Sequence, residues 1–344
     1  MKKKVVISDD EYHCNGLLTD IVNSLKGRRG KDLLFHYIRA MNDSKDKYFA
    51  NKESVRVPLM AMKQFMHRPT DSPYDALGIC TFGPVGVNPL KPETYGKILP
   101  GSPKKEWRNV DILTPILDAC SCGEMKPKYK VDTDVNAPAM AEFEYRTKVM
   151  NENISSLAYV TVGTGIGVGL VINSLPVHGM MHPEGGHVAI VPLNSDDKFE
   201  GYSWGAKSPY KGKNTVEGTA SSVALTERLG STNSSEERDA LKDLGDDHPI
   251  WDHAANSLAN LCCTLVLITS VEKIIFGGGV MNRSIIYKRM RSRTKELLNG
   301  YIDLDQVTTE DGLNNYISPS VWNESEGYGA GLVGALTLAQ LALS

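Results

Sequence analysis

The sequence is poor in cysteine and aromatic residues and carries no excess of either charge. Six cysteines are spread over 344 residues, and two of them, Cys262 and Cys263, are adjacent. That is no framework for a disulfide-stapled secreted domain, and it points to a reducing, cytoplasmic setting. Lys and Arg number 38 against 41 Asp and Glu, a formal net charge of −3. Nothing in that balance asks for nucleic acid or an anionic membrane as the main partner. No apolar run approaches the ~18–20 residues that a bilayer span needs. The opening run MKKKVVISDDEYH starts basic, but Asp9, Asp10 and Glu11 arrive too early for the apolar core of a signal peptide. No internal repeat with a period of about 20–50 residues is present.

What remains is ordinary globular composition, 41% hydrophobic and 23% charged, which excludes a chain that is disordered throughout. At roughly 100–200 residues per domain the length suits two domains, or one large two-lobed unit. Helix-like stretches at 16–26 and 31–42 flank a Gly-Arg-Arg-Gly turn. A short strand at 55–57 and a Met-rich helix at 58–66 follow. The pattern then predicts a strand over 76–80, a helix over 112–120, a strand over 128–131 and a helix over 137–149. Strands at 157–162 and 168–173 are joined by a glycine-rich turn. A turn at 183–186 leads to a strand over 187–192. Residues 194–215 read as a polar surface excursion whose Lys207–Lys213 patch is solvated. Helices at 220–229 and 250–269, a strand at 273–276, a helix at 285–298 and a helical tail at 327–343 complete the chain. Strands and helices alternate, which argues for an α/β fold.

Four features can carry chemistry. The run Gly163-Thr164-Gly165-Ile166-Gly167 spaces its glycines like a dinucleotide fingerprint, but it leads into an alternating strand instead of a helix. It is either a hairpin whose N–H groups, with the Thr164 hydroxyl, cradle phosphate oxygens, or an ordinary glycine-rich turn. Asp134 stands at the end of a strand, where a carboxylate facing a cleft can take a proton from a substrate hydroxyl. On spacing alone a helix N-cap is the better reading, although Asn136 could serve that cap equally well. His182-Pro183-Glu184-Gly185-Gly186-His187 could hold a metal, bind sugar hydroxyls through Glu184 and His187, or be a structural turn. Gly277-Gly278-Gly279 after a buried strand admits close approach of a ligand to the backbone, or serves packing. Cys120-Ser121-Cys122 lacks a second pair at metal-binding distance and reads as incidental.

Taken in order, these elements resemble the ROK family of sugar kinases and repressors, and its fructokinase branch most closely. The signposts run from Gly78-Ile79-Cys80-Thr81-Phe82-Gly83-Pro84 through Tyr95–Ile98, Ser102-Pro103-Lys104 and Trp107 to Asp132-Thr133-Asp134-Val135-Asn136-Ala137. Thr161–Gly167, Val177-His178-Gly179, His182–His187, Glu217-Gly218 and Phe276–Met281 continue the series. The resemblance implies a two-lobed actin-like ATPase fold of the ribonuclease H-like type. It also implies ATP- and Mg2+-dependent phosphorylation of a hexose, fructose being favoured, and, since the family often dimerises, a homodimer. Asp134 is then the general base. Glu184, His187, Glu217 and Asn136 hold the sugar. Gly163, Thr164 and Gly165 form a phosphate loop, and Gly277, Gly278 and Gly279 the adenosine-binding turn.

Three departures accompany the resemblance. The family opens with an acid-x-Gly-Gly-Thr-Lys phosphate loop, and residues 1–50 hold no such run; Ser8-Asp9-Asp10-Glu11 stands in its place. Acids there would repel ATP, so either another segment serves, or the chain is a catalytically impaired sugar-binding or regulatory protein. Of the fructokinase zinc ligands only His187 is retained, the run Ser208–Thr215 having lost its cysteines and histidine, so no structural zinc is expected. After Glu217, Gly218-Thr219-Ala220-Ser221-Ser222 ends without the usual glycine. The expected organisation is a divergent segment 1–53, a small lobe 54–135 completed by the helix 327–344, and a large lobe 136–326. A DNA-binding repressor fits poorly, because residues 1–50 hold 10 Lys and Arg against 7 acids.

Overall fold

The computed structural model describes residues 33–38, 75–121, 124–195, 197–201, 213–230, 241–322 and 329–344. The elements expected at 16–26, 55–57 and 58–66, and most of the Lys207–Lys213 patch, lie outside them. Two sheets organise the described residues. In the smaller, β1 (Leu33–Ile38), β2 (Ala76–Thr81) and β3 (Lys128–Thr133) lie side by side and parallel. The helix expected over 31–42 is therefore corrected to a strand. Leu-Leu-Phe-His-Tyr-Ile is a short apolar run that periodicity alone cannot assign, and pairing with the fully buried β2 decides it. β1 also brings part of segment 1–53 into this sheet.

Helix α1 (Leu113–Cys120) packs its Leu113, Ile116 and Leu117 into a core with Leu77, Ile79, Ile98 and Trp107. Helix α2 (Asn136–Lys148) leaves the end of β3. The C-terminal helix, α9 (Ala330–Leu343), returns across the small sheet. Its backbone lies directly on β2: a Cβ at Gly78 would sit 1.9 Å from the Ala335 carbonyl oxygen. Only small side chains (Cys80, Ala137 and Ala335, with Leu338 beside them) fit that contact.

The larger sheet has the order β6-β5-β4-β7-β8. β4 (Leu157–Val162), β5 (Ile166–Ile172) and β6 (Leu175–Pro176) form an antiparallel meander, while β4, β7 (Ile274–Gly277) and β8 (Ile317–Pro319) run parallel. Asn173 and Ser174, with φ of 51° and 65°, make the two-residue turn between β5 and β6. Along β4, Ala158, Val160 and Val162 face one core and Leu157 and Tyr159 the other. A strand buried on both sides has to be apolar throughout, which is why the run reads as one block.

Between β6 and β7 lie α3 (Val216–Ala220), α4 (Ser222–Arg228) and α5 (Ile250–Thr269). The helix predicted over 220–229 is thus split. Ser221 turns extended, and its hydroxyl accepts the Ala224 N–H at 3.2 Å as the cap of α4. The strand expected over 187–192 is absent. A 3-10 turn, Gly185–His187, and a single bridge between Ala189 and Thr215 replace it, since paired glycines and Pro192 cannot sustain a ladder there. α5 supplies the main wall of the large core through Trp251, Leu258, Leu261 and Cys262. After β7 come α6 (Ser284–Leu298), α7 (Asp305–Thr308) and α8 (Glu310–Tyr316).

Candidate active site

β2 and β3 end together, with Thr81 aligned on Thr133. The next residue, Asp134, donates its N–H to the Thr81 carbonyl at 2.8 Å. The cap expected of Asp134 or Asn136 is not formed by either. The Thr133 hydroxyl accepts the Asn136 N–H at 2.9 Å instead, which releases the Asp134 carboxyl from structural duty. Burial raises the proton affinity of Asp134, while the Lys104 charge and a backbone hydrogen bond pull it back. A carboxylate of raised pKa at a strand end has the profile of a general base.

The predicted sugar residues gather beside it. Glu184 Oε2 lies 3.8 Å from His187 Nε2, and Glu217 Oε1 lies 4.0 Å from His187 Nδ1. These gaps are too long for direct hydrogen bonds, and a hydroxyl could bridge them. Glu217 Oε2 accepts the Ile166 N–H at 2.9 Å, whereas Oε1 is buried with no hydrogen-bond partner among the described residues. Burial and the mutual charges of Asp134, Glu184 and Glu217 push Glu184 and Glu217 each up to about 7. Burial also lowers the His187 pKa, favouring the neutral ring. Asn136 is fully buried; its Oδ1 accepts the Leu170 N–H at 3.3 Å, and its Nδ2 is an unpaired donor among the described residues. A buried acceptor and a buried donor without protein partners among the described residues suit a ligand that carries hydroxyls.

His182 is not a candidate ligand. The Val85 N–H donates to its Nε2 at 3.1 Å, and its Nδ1 faces the Pro183 carbonyl at 3.2 Å, so the proton sits on Nδ1. Among the described residues no group of three or more His, Cys, Asp or Glu could hold a metal ion. The metal reading of the 182–187 turn is therefore dropped. Cys120 is buried with its thiol pushed up to about 12, and so is unreactive.

Close backbone packing sets the geometry. A Cβ at Gly186 would lie 1.9 Å from the Ile166 carbonyl oxygen, and one at Gly169 would lie 2.1 Å from that of Val135. The 182–187 turn, β5 and the start of α2 can approach this closely only as glycine contacts. Glu217 and Ser222 then hold the glycine hairpin at both ends. Glu217 binds the residue after Gly165, and the Ser222 N–H donates to the Gly163 carbonyl at 2.8 Å. The missing glycine after Ala220 therefore does not keep this helix start away.

Gly163, Thr164 and Gly165 form the tip between β4 and β5, closed by a Gly163 N–H to Gly165 carbonyl bond at 2.9 Å. Gly277 pairs with Thr161 at the neighbouring strand end. Gly278, at φ 90°, rests against the Val162 backbone, where a Cβ would meet its oxygen at 2.5 Å. Among the described residues, nothing lies within 4 Å of a Cβ added at Gly163 or Gly279. The two glycine runs thus make one open surface along the C-terminal ends of β4 and β7, the edge where parallel α/β sheets bind ligands.

Comparison with known proteins identifies the family. The family model described as "ROK family" matches residues 42–342. The chain belongs to the ROK family. It is 32% identical to a protein named fructokinase from Pediococcus pentosaceus over 278 residues, 80% of this chain and 83% of that one. A fructokinase from Zymomonas mobilis is 32% identical over 277 residues, 78% of this chain and 79% of that one. The crystal structure of a ROK hexokinase from Thermus thermophilus superposes with a TM-score of 0.57 at 20% identity, covering 85% and 87% of the two chains. That likeness shows the fold, the actin-like α/β architecture the sequence implied.

Two ROK-chain residues at this site were not singled out from the sequence. His182 was visible only as a member of its motif, and its tie to Val85 joins residues 97 positions apart. Lys104 was legible as part of Ser102-Pro103-Lys104, but without a role. The structure places its ammonium 3.9 Å above the Phe82 ring, within electrostatic reach of Asp134.

Proposed function

We propose that this protein is an ATP-dependent hexose kinase and that its sugar is D-fructose, converted to fructose 6-phosphate. The observation that carries the reading is the convergence of Asp134, freed from capping, with Glu184, His187 and Glu217 beside an open glycine surface. In this reading the small lobe ends near Asp134, and the catalytic cleft lies between the two sheets.

Each residue has a physical task. Glu217 Oε1 and the Asn136 amide supply one acceptor and one donor to sugar hydroxyls. Glu184 and His187 complete the ring of polar groups. Asp134 takes the proton from the hydroxyl that attacks, a role usually worth about 10²–10⁴-fold. Backbone N–H groups at Thr164 and Gly165 and in 277–279 approach the nucleotide, whose Mg2+ arrives bound to phosphate oxygens and needs few protein ligands. Phosphoryl transfer needs little more than such positioning and charge neutralisation. Closure of the lobes excludes water and protects ATP from hydrolysis.

ADP release with Mg·ATP and fructose, glucose, mannose or N-acetylmannosamine tests the reading. Fructose should give the highest kcat/KM. Binding of a hexose with no ADP release from any of them would replace the kinase by a sugar-binding regulatory protein.

A further inference from the structure

We propose that Lys104 is a further catalytic residue, whose ammonium contacts the phosphoryl group as it passes to the sugar hydroxyl beside Asp134. The inference rests on the kinase reading above.

Register places the two residues together. Thr81 pairs with Thr133, so Phe82 and Asp134 are the next neighbours across the strand ends, about 4.8 Å apart in the hydrogen-bonding direction. Lys104 Nζ lies 3.9 Å from the centroid of the Phe82 ring. Trp107 meets that ring edge-on at 5.5 Å and 89° and fixes its plane. The loop carrying the lysine is braced. The hydroxyl of fully buried Ser102 accepts the Lys104 N–H at 3.3 Å, and the Ser102 carbonyl accepts Arg108 Nε at 2.7 Å. An ammonium held on an aromatic face is oriented, yet its N–H donors stay free to meet an anion. Among the described residues Lys104 forms no salt bridge, although the Asp134 charge acts on it.

The chemistry calls for a cation here. A carboxylate beside the attacking hydroxyl repels the negatively charged phosphoryl group it must meet. In the step proposed, the hydroxyl proton passes to Asp134 as the sugar oxygen bonds to the γ-phosphorus. The bond from that phosphorus to the bridging oxygen breaks, and ADP leaves with the electron pair. Lys104 keeps its proton throughout and offsets the charge on the transferring oxygens. The charge acting on it is Asp134, just past the end of β3; His182 and Glu184 face Gly83, the residue after Phe82, where a Cβ would meet the His182 ring at 2.6 Å and Glu184 Oε1 at 3.3 Å. Burial brings Lys104 down to about 8, so it is charged at neutral pH and loses its proton in mildly alkaline solution.

The test uses the full chain and the variants Lys104→Met and Lys104→Arg. Calorimetry without nucleotide compares fructose with fructose 6-phosphate. Lys104→Met should keep the affinity for fructose, lose about 10-fold in affinity for fructose 6-phosphate, and lose about 10²-fold in kcat. Lys104→Arg should recover most of the phosphate affinity. Its alkaline limb should move to higher pH, because a guanidinium stays charged. Unchanged fructose 6-phosphate binding in Lys104→Met would overturn the proposal. So would equal losses for fructose and fructose 6-phosphate, which mark a lysine that merely supports Phe82. If the wild type turns over no hexose, the kinase reading fails, and the fructose 6-phosphate comparison still decides the contact. A wild type that binds neither ligand removes both.

Discussion

His178 Nε2 lies 2.9 Å from Oδ2 of Asp132, a carboxylate with 1% of its surface exposed. The pair joins the segment after β6 to the end of β3, two residues before Asp134. The Val85–His182 hydrogen bond adds a second tie, from the same segment to the loop after the neighbouring strand β2. Together they fix the turn that carries Glu184 and His187 against the strand end that carries Asp134.

Removing one partner should therefore cost both stability and substrate binding. His178→Ala leaves Asp132 buried with the Thr133 N–H as its remaining partner among the described residues. The imidazole edge is partly open, so water recovers some of the loss, and a destabilisation of about 1–3 kcal/mol is expected. KM for the sugar should rise more than KM for ATP. Chemical denaturation with steady-state kinetics checks this, and an unchanged midpoint and KM would show that the pair holds nothing in place.

Glu217 links stability to pH. Its pKa in the folded chain is about 7, above its ordinary value of 4.5. A carboxyl raised on folding favours the folded state at low pH. That contribution is complete below about pH 4.5 and is lost as pH rises through about 7. Glu217→Gln keeps an acceptor for the Ile166 N–H and removes the charge. The variant should match the wild type near pH 4.5, exceed it in stability at pH 8, and bind sugar less well. Denaturation curves at several pH values would show a flatter slope; parallel slopes would place the Glu217 pKa at its ordinary value.

The same environment shapes activity. Asp134 must be ionised to accept a proton, and burial raises its pKa. The acid limb of kcat/KM should therefore lie above the ~4 of an ordinary aspartate. In Lys104→Met, which removes a charge that favours the ionised form, the limb should move to still higher pH. A pH–rate profile measures both shifts, and a limb that stays put in the variant would uncouple the two residues.

Much of this layout was legible because local patterns agreed with the tertiary result. α5 runs over the 20 residues that periodicity and length assign it, from Ile250 to a left-handed Ser270. The glycine hairpin and β4 were readable because a strand buried on both faces leaves an unbroken apolar run. Asp134 stood out at a strand end, but its freedom from capping depends on the Thr133 hydroxyl, which spacing could not choose over Asn136. Leu33–Ile38 misled because six apolar and aromatic residues suit a helix or a strand until a neighbour pairs with them. Ser221 misled because a cap in mid-pattern breaks a helix that propensity would continue. Lys104 had no readable role, since its importance arises from Phe82 and Asp134 being neighbours in register, about fifty residues apart in sequence.

The central claim is that Asp134 is the base of a sugar kinase, and Asp134→Asn tests it most directly. Fructose-dependent ADP release should fall by about 10²–10⁴-fold in the variant, with fructose affinity and melting behaviour close to wild type. Near-normal turnover in a folded Asp134→Asn protein would contradict the account, because the carboxyl proposed as the base would then take no part in the reaction.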